Sequence, residues 1–437
     1  MKTITQVAKA MQTVLGTLSD EMAVKVGFTQ RQSKVSGSVF MQTLVFSSLE
    51  HPEWRYSGLV AGALNAGVGV TKQGLEQRFS AVSAELARRM LETAVGIAIE
   101  TKGAALPVLE RFNGVYIRDS SIVSLPKELE TLWVASGGSN GGSAGVKLHA
   151  RLEVRSGQLA GPLVSAAREH DQASRFQTEP LPVGALRMGD LGYFSLKQFA
   201  LDSQQGIFWL SRYKVGTLMY DLHGQPISLL PWLRQQIGNR FERSILLGKM
   251  QHLACRLLVE RAPAAVAETR KRKLRTYARK KQTPLSAEML ALSEWTLIVT
   301  NIPPALLSIP EALVVLRVRW QIKLLFKRWK CLFQIDMWRS SNIWRILTEL
   351  FAKLLSVVIA QWIQLTGMCP EHYPSFWKAA LLVRQFATAL AICLPSLFQL
   401  ERILALIAVH IRSHCHLAST KSRPSFYHLL ENSIVHP

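Results

Sequence analysis

Apolar positions recur at two spacings along the chain, and the change of spacing divides it. Up to about residue 108 the spacing is helical. The opening stretch, MKTITQVAKAMQ, is amphipathic and reads as a helix rather than a signal peptide. Tyr56 to Phe79 reads as a helix, a short turn (Ala66-Gly67-Val68-Gly69) and a second helix that Thr71 is placed to cap. From Gly114 the period shortens to two. Val115-Tyr116-Ile117-Arg118-Asp119 alternates as a strand and stops at two serines. Lys147 to Val154 and Gln158 to Val164 flank Ser156-Gly157 as a hairpin. Leu186 to Asp190, Gly206 to Tyr213, Leu218 to Asp221 and Trp295 to Thr300 are further strands. Pro310 opens a long helix reaching about Asp336, with Val315, Val318, Ile322, Leu325, Trp329 and Leu332 as its buried stripe. Amphipathic helix continues to about residue 415, and the last twenty residues form a short helix or fray.

Strands first and helices interleaved later predict a mixed α/β (α+β) fold, a mixed sheet flanked by helices. The divisions expected are a helical N-terminal domain over 1–108, a first core part over 109–224 and an inserted basic subdomain over 225–305. The long helix of the core then occupies 306–345, and a helical region covers 346–437. The apolar C-terminal third raises the question of a membrane. Its longest stretch, Ala379 to Ile411, is broken by Arg384, Pro395, Glu401 and Arg402, so buried helices and no membrane span are expected.

Charge narrows the partner. There are 52 Lys+Arg against 30 Asp+Glu, a net charge of +22, which points to a polyanion and to nucleic acid first. The densest run, Arg270-Lys271-Arg272-Lys273-Leu274-Arg275 followed by Arg279-Lys280-Lys281, reads as a solvated loop or interaction tail, with Tyr277 as a stacking ring. Lys72, Gln73, Gln77 and Arg78 would face a DNA groove if Tyr56–Phe79 is a helix-turn-helix, or water if it is a plain hairpin. The five cysteines form no CxxC pair, which fits a reducing compartment. His414-Cys415-His416 lacks a second pair at zinc spacing. The Gly-rich stretch from Gly137 to Gly142 lacks the Lys-Ser/Thr of a phosphate loop. His149, in mid-strand, reads as a packed residue.

Asp119 and Asp190 each follow an alternating apolar run. A carboxylate at a strand end either caps a turn or, paired with another, shares a divalent metal. Their surroundings are distinctive. IRDSSIVSLP, GDLGYFSL, WTLIVTNIP and LRVRWQIKLLFKRWK occur in one order, and together they resemble the IS4 family of bacterial insertion-sequence transposases over about residues 1 to 430. The resemblance implies a ribonuclease-H-like core whose Asp-Asp-Glu triad binds two Mg²⁺ or Mn²⁺ ions. The family's third acid lies in a signature of Tyr, Arg three residues on, Glu four later and Lys seven after that. Laid on this chain, the first two acids fall on Asp119 and Asp190. The signature Arg and Lys fall on Arg319 and Lys330.

Two signature positions depart: Leu316 stands for Tyr and Lys323 for the catalytic Glu. One turn either way lie further cations, Arg319 and Lys327. A cation in a ligand position removes attraction for a metal and adds repulsion, so the expectation is a chain that folds and binds DNA but cleaves poorly. Arg319, Lys327 and Lys330 are then expected to clamp phosphates of the cleaved strand, or to form a solvated cationic helix face. By its charge, the run of Arg270, Lys271, Arg272, Lys273 and Arg275 is expected to track the DNA backbone with salt-dependent affinity, and the resemblance implies that Trp295 either stacks on a flipped base or packs in the core. The implied partners are double-stranded DNA, as terminal inverted repeats and target, and a second copy of the chain on that DNA. The implied location is the bacterial cytoplasm, at the nucleoid. The function expected is cut-and-paste DNA transposition. The alternative is a non-catalytic remnant that occupies transposon ends.

Overall fold

A computed structural model of the chain describes residues 2–135, 144–371, 373–417 and 428–430. The Gly137–Gly142 stretch and nearly all of the tail after residue 417 lie outside the described residues. Among the described residues, nine strands form one mixed sheet: β1 (Val115–Leu125), β2 (Ala144–Glu153), β3 (Leu159–Ala166), β4 (Leu186–Met188), β5 (Phe208–Arg212), β6 (Met219–Tyr220), β7 (Arg240–Leu247), β8 (Leu253–Arg261) and β9 (Trp295–Thr300). Their order is β3-β2-β1-β4-β5-β9-β8-β7-β6. β1, β4 and β5 run parallel, while β2–β3 and the pairs from β5–β9 onward are antiparallel. The chain divides into two compact units that interleave along the sequence.

The unit of Met1–Ala105, Asp119–Glu169 and Trp320–Ser425 is built around the helix Ile343–Leu365. Asn342 starts it by accepting the backbone N–H groups of Trp344 and Arg345. Every residue from Arg345 to Leu365 is buried. By length and composition this helix could cross a membrane, which the sequence pattern does not predict because Arg345, Glu349 and Lys353 interrupt the apolar run. Its surroundings are protein. It packs against the helices Ala81–Val95 and Gly37–Glu50, Ser356 Oγ donates to the Val45 carbonyl at 3.1 Å, and Gln361 Nε2 donates to that of Gly157 at 2.8 Å. The interrupting charges are compensated. Arg345 lies 4.1 Å from the Tyr56 ring centroid and donates to the Trp54 carbonyl. Lys353 Nζ is 2.6 Å from Glu349 Oε1 and also donates to the carbonyls of Gln334 and Met337. Burial pushes the Glu349 carboxyl up and the Lys353 ammonium down in pKa, against the attraction of the pair.

The expected N-terminal helix is present as Lys2–Gln12. Tyr56–Asn65 and the Thr71 cap also form as expected, with Thr71 Oγ1 accepting from Gly74 N at 3.1 Å. The second helix is only Lys72–Glu76, five residues with a glycine at its centre.

The unit of Leu106–Arg118, His170–Arg319 and Phe426–Pro437 holds the first residues of β1 with β4 through β9. Its core joins Trp209, Leu233, Ile245, Leu257, Val259 and Val299. The sequence pattern does not predict β7 and β8, because charged residues dilute the alternation. They pair across the strands instead: Arg240 with Glu260 at 2.8 Å, and Arg256 with Glu242. The basic run, expected as a loop, is the helix Ala264–Lys281. It begins directly after Pro263 and contains no Gly or Pro, and Arg and Lys are good helix formers.

The Glu349–Lys353 pair gives a stability prediction. Lys353→Met leaves a buried carboxylate alone and should lower the unfolding free energy by about 3–5 kcal/mol in urea titrations. Lys353→Met combined with Glu349→Leu should recover most of that loss, and no recovery would mean the pair is not what holds this segment.

Candidate active site

In the helical unit, Asp119 does not end its strand. β1 continues through Ser120 and Ser121 to Leu125, because two small residues do not stop a strand when Ile122, Val123 and Leu125 follow with good β propensity. Asp119 is 4% exposed. Its Oδ1 accepts from the Ser120 N–H at 3.0 Å, and its Oδ2 lies 3.2 Å from Lys323 Nζ. Lys323 belongs to the helix Trp320–Phe333, whose Ile322, Leu325, Trp329 and Leu332 are buried as the periodicity requires. Two turns on, Lys330 Nζ donates to the Ile122 carbonyl at 2.8 Å. Lys323 and Lys330 thus both address β1, whereas Lys327 is exposed. The single long helix expected here is two, Ile309–Val318 and Trp320–Phe333, interrupted at Arg319, whose backbone stays helical at φ −52°, ψ −25°.

In the same unit, Lys72 lies 5.3 Å from the Tyr56 ring centroid. Arg78 donates to Ser33 Oγ at 2.6 Å and stacks over Phe28. His149, 2% exposed, hydrogen-bonds Ser165 at 2.9 Å.

In the sheet unit, Asp190 lies two residues beyond β4 and caps the 3-10 turn Leu191–Tyr193, Oδ1 accepting from Gly192 N at 2.8 Å. Gly192 is needed there: a Cβ on it would lie 2.6 Å from Asp171 Oδ2 and 3.0 Å from Asp190 Oδ1. Asp171 therefore brings a second carboxylate to this turn, which sequence spacing does not reveal. β1 and β4 pair in parallel register, Val115↔Leu186, Tyr116↔Arg187 and Ile117↔Met188. Arg118 and Arg187 share partners in this unit. Both donate to the carbonyls of Phe176 and Gln177, Arg118 covers the Tyr193 ring at 5.1 Å, and Arg187 Nε is 3.1 Å from the fully buried Asp202. Burial pushes the Asp202 carboxyl up in pKa, against the pull of Arg187.

Cations gather in the same unit. Arg319 is 8% exposed, and its Nη1 has no hydrogen-bond partner among the described residues. Arg212, at the end of β5, has its guanidinium pKa lowered first by burial, then by Arg319 and Arg270. The sequence pattern does not single out Arg212, although it closes a strand as Asp190 nearly does. Arg270 donates to the carbonyls of Ser293 and Trp295 and to Thr296 Oγ1. Lys271 pairs with Glu268 and Glu294 at 3.1 and 2.8 Å. These two hold the basic helix to its neighbours, while Arg272, Lys273 and Arg275 are exposed. Trp295 is 9% exposed, with Phe241 edge-on at 5.7 Å and Arg261 over its ring. It also lines a cavity of about 280 Å³ with Arg212, Tyr213 and Arg270. No group of three or more His, Cys, Asp or Glu side chains is placed to hold a metal ion among the described residues.

Known proteins share this sequence pattern. The family described as "Transposase DDE domain" matches residues 110–359. The transposase of insertion sequence IS231B from Bacillus thuringiensis subsp. berliner is 26% identical over 364 residues, covering 78% of this chain and 75% of that one. The IS231F transposase from Bacillus thuringiensis subsp. israelensis is 27% identical over 365 residues, covering 78% and 76%. The IS1151 transposase from Clostridium perfringens is 22% identical over 368 residues, again covering 78% and 76%. Among solved structures, the cryo-EM piggyBac transposase synaptic complex with hairpin DNA matches with a TM-score of 0.48 at 8% identity, over 96% of this chain and 88% of that one. The family match spans more than half of the chain, and the chain therefore belongs to the DDE-domain transposases, enzymes that cut and rejoin DNA.

Proposed function

We propose that this transposase is of the IS4 type, that Asp119, Asp190 and Lys323 occupy its three triad positions, and that it binds transposon ends but cleaves them poorly. One interaction carries the proposal: Lys323 Nζ lies 3.2 Å from Asp119 Oδ2, where a third carboxylate would face the first. The order of motifs along the chain supports assigning Lys323 to the signature Glu. The motif contexts around Asp119 and Asp190 support assigning them to the first two acids.

Transposases of this family use divalent metal ions, and the fit of such an ion can be judged from the donors. A two-metal site needs anionic oxygens on several sides. At Lys323 the donor is replaced by an ammonium, which repels a divalent ion. At an effective dielectric of 20 and about 4 Å, a unit-charge pair is worth roughly 4 kcal/mol. The Lys323 side chain is 38% exposed, so solvent screening reduces that figure. Exchanging attraction for repulsion still amounts to several kcal/mol, about a thousand-fold in rate or affinity. The residues do not fit a complete two-metal centre.

DNA binding survives this loss because it rests on other residues. Arg212 and Arg319 in the sheet unit are guanidiniums short of counter-charge, suited to phosphate. On the basic helix, Arg272, Lys273 and Arg275 face solvent and would contribute salt-dependent, sequence-independent affinity. Lys72, Lys327 and Lys330 are further candidates for binding the DNA backbone. A dimer on paired ends and a place at the bacterial nucleoid complete the proposal.

Two measurements test it. Strand cleavage of a transposon-end duplex with Mg²⁺ should rise by about a thousand-fold in Lys323→Glu relative to the natural chain. Equally robust cutting by both proteins refutes impairment. Separately, replacing Arg272, Lys273 and Arg275 with Gln should weaken duplex binding similarly for all sequences. It should also flatten log K against log salt by about one unit for each phosphate that is no longer neutralised. An unchanged slope removes the basic helix from the interface.

A further inference from the structure

The Lys323 ammonium does more than displace a carboxylate. It reaches Asp119, which is 4% exposed, and lies at ion-pair distance on Oδ2. A carboxylate that deep in the protein needs a counter-charge or several hydrogen bonds to offset its desolvation. In an acidic triad the bare carboxylates repel one another, and a bound divalent ion relieves that repulsion. Here the counter-charge is covalently attached. It arrives on a helix whose apolar stripe, Ile322, Leu325 and Trp329, is buried, and whose Lys330 holds the Ile122 carbonyl of the same strand at 2.8 Å. The ammonium is therefore held near Asp119 by packing on one side of the helix and by a second anchor two turns away.

We propose that Lys323 is a tethered counter-ion that takes the place of a divalent cation beside Asp119. Both the folded state and the DNA-bound state then become independent of divalent metal. The inference rests on the assignment of position 323 to the triad. It adds a property that loss of cleavage alone does not require: a DNA complex as strong in chelator as in Mg²⁺.

The test uses the full chain with Lys323, Lys323→Met and Lys323→Glu. Thermal unfolding is followed in EDTA and in millimolar Mn²⁺, and Mn²⁺ binding is read from the loss of the free-ion EPR signal. The natural chain should unfold at the same temperature in both media and leave Mn²⁺ free. Lys323→Met, which keeps an unbranched side chain one atom shorter and removes its charge, should unfold several degrees lower in EDTA. Lys323→Glu should bind Mn²⁺ at least tenfold more tightly than the natural chain and gain several degrees from it. Mn²⁺ binding by the natural chain as tight as by Lys323→Glu overturns the proposal. So does a Lys323→Met protein as stable in EDTA as the natural chain. If Lys323→Glu fails to fold, the other two proteins still decide.

Anisotropy of a labelled end duplex with the natural chain, in EDTA and in Mg²⁺, completes the test. Equal affinity is expected, and a tenfold loss in EDTA overturns metal independence. Absence of duplex binding in both media sinks the end-binding reading instead, while the Mn²⁺ and unfolding measurements still judge the counter-ion.

Discussion

A carboxylate withdrawn from water must be given a cation or several hydrogen bonds, or it gives up its charge. Three buried acids in this transposase meet that requirement with a cation: Asp119 with Lys323, Glu349 with Lys353, and Asp202 with Arg187. The last two pairs explain why charged residues occur where the apolar pattern calls for hydrophobes. Glu349 and Lys353 lie one turn apart inside the most buried helix of the helical unit. Asp202 pairs with Arg187, which with Arg118 donates to the carbonyls of Phe176 and Gln177. On the proposed assignment the first pair stands where the family's chemistry is done, and there the same electrostatic rule works against the reaction.

Lys323, so assigned, separates two things a transposase does. Cleavage depends on anions that gather metal at a few atoms, so one reversed charge has a large effect. On the same proposal, DNA binding would rest on many cations spread along Arg212, Arg319 and the exposed residues of the basic helix, so no single change would remove it. A chain altered at position 323 keeps the fold and the cationic surface and loses the charge pattern of its centre. A lysine there is also compatible with folding, since it supplies Asp119 with a partner.

The family and the proposed centre are legible in the residues. The contexts IRDSSIVSLP, GDLGYFSL and LRVRWQIKLLFKRWK point to the family, and the three-four stripe from Val315 to Leu332 correctly gives the buried face of the helix that presents Lys323. The β2–β3 hairpin and β9 are also readable, because alternation and turn residues are local signals. Two strands are not. β7 and β8 carry charges that neutralise each other only across the ladder, and a pattern read along one strand does not see the partner. The basic run shows charge plainly but not secondary structure, and it is a helix because nothing in it breaks one.

The sequence by itself determined the kind of protein, its cationic character, the run of cations at positions 319, 323, 327 and 330, and the face of the motif helix that packs. These are consequences of residue identity and of short-range periodicity. Tertiary structure alone decided that Lys323 meets Asp119 at ion-pair distance, that Asp171 joins Asp190 around Gly192, and that Arg270 and Lys271 hold the fold while Arg272, Lys273 and Arg275 remain exposed. It also decided that the long apolar helix Ile343–Leu365 is enclosed by other helices rather than left for lipid. Each of these depends on segments distant in the chain being brought together, and the free energy of burial and charge pairing is set by those neighbours rather than by the order of residues.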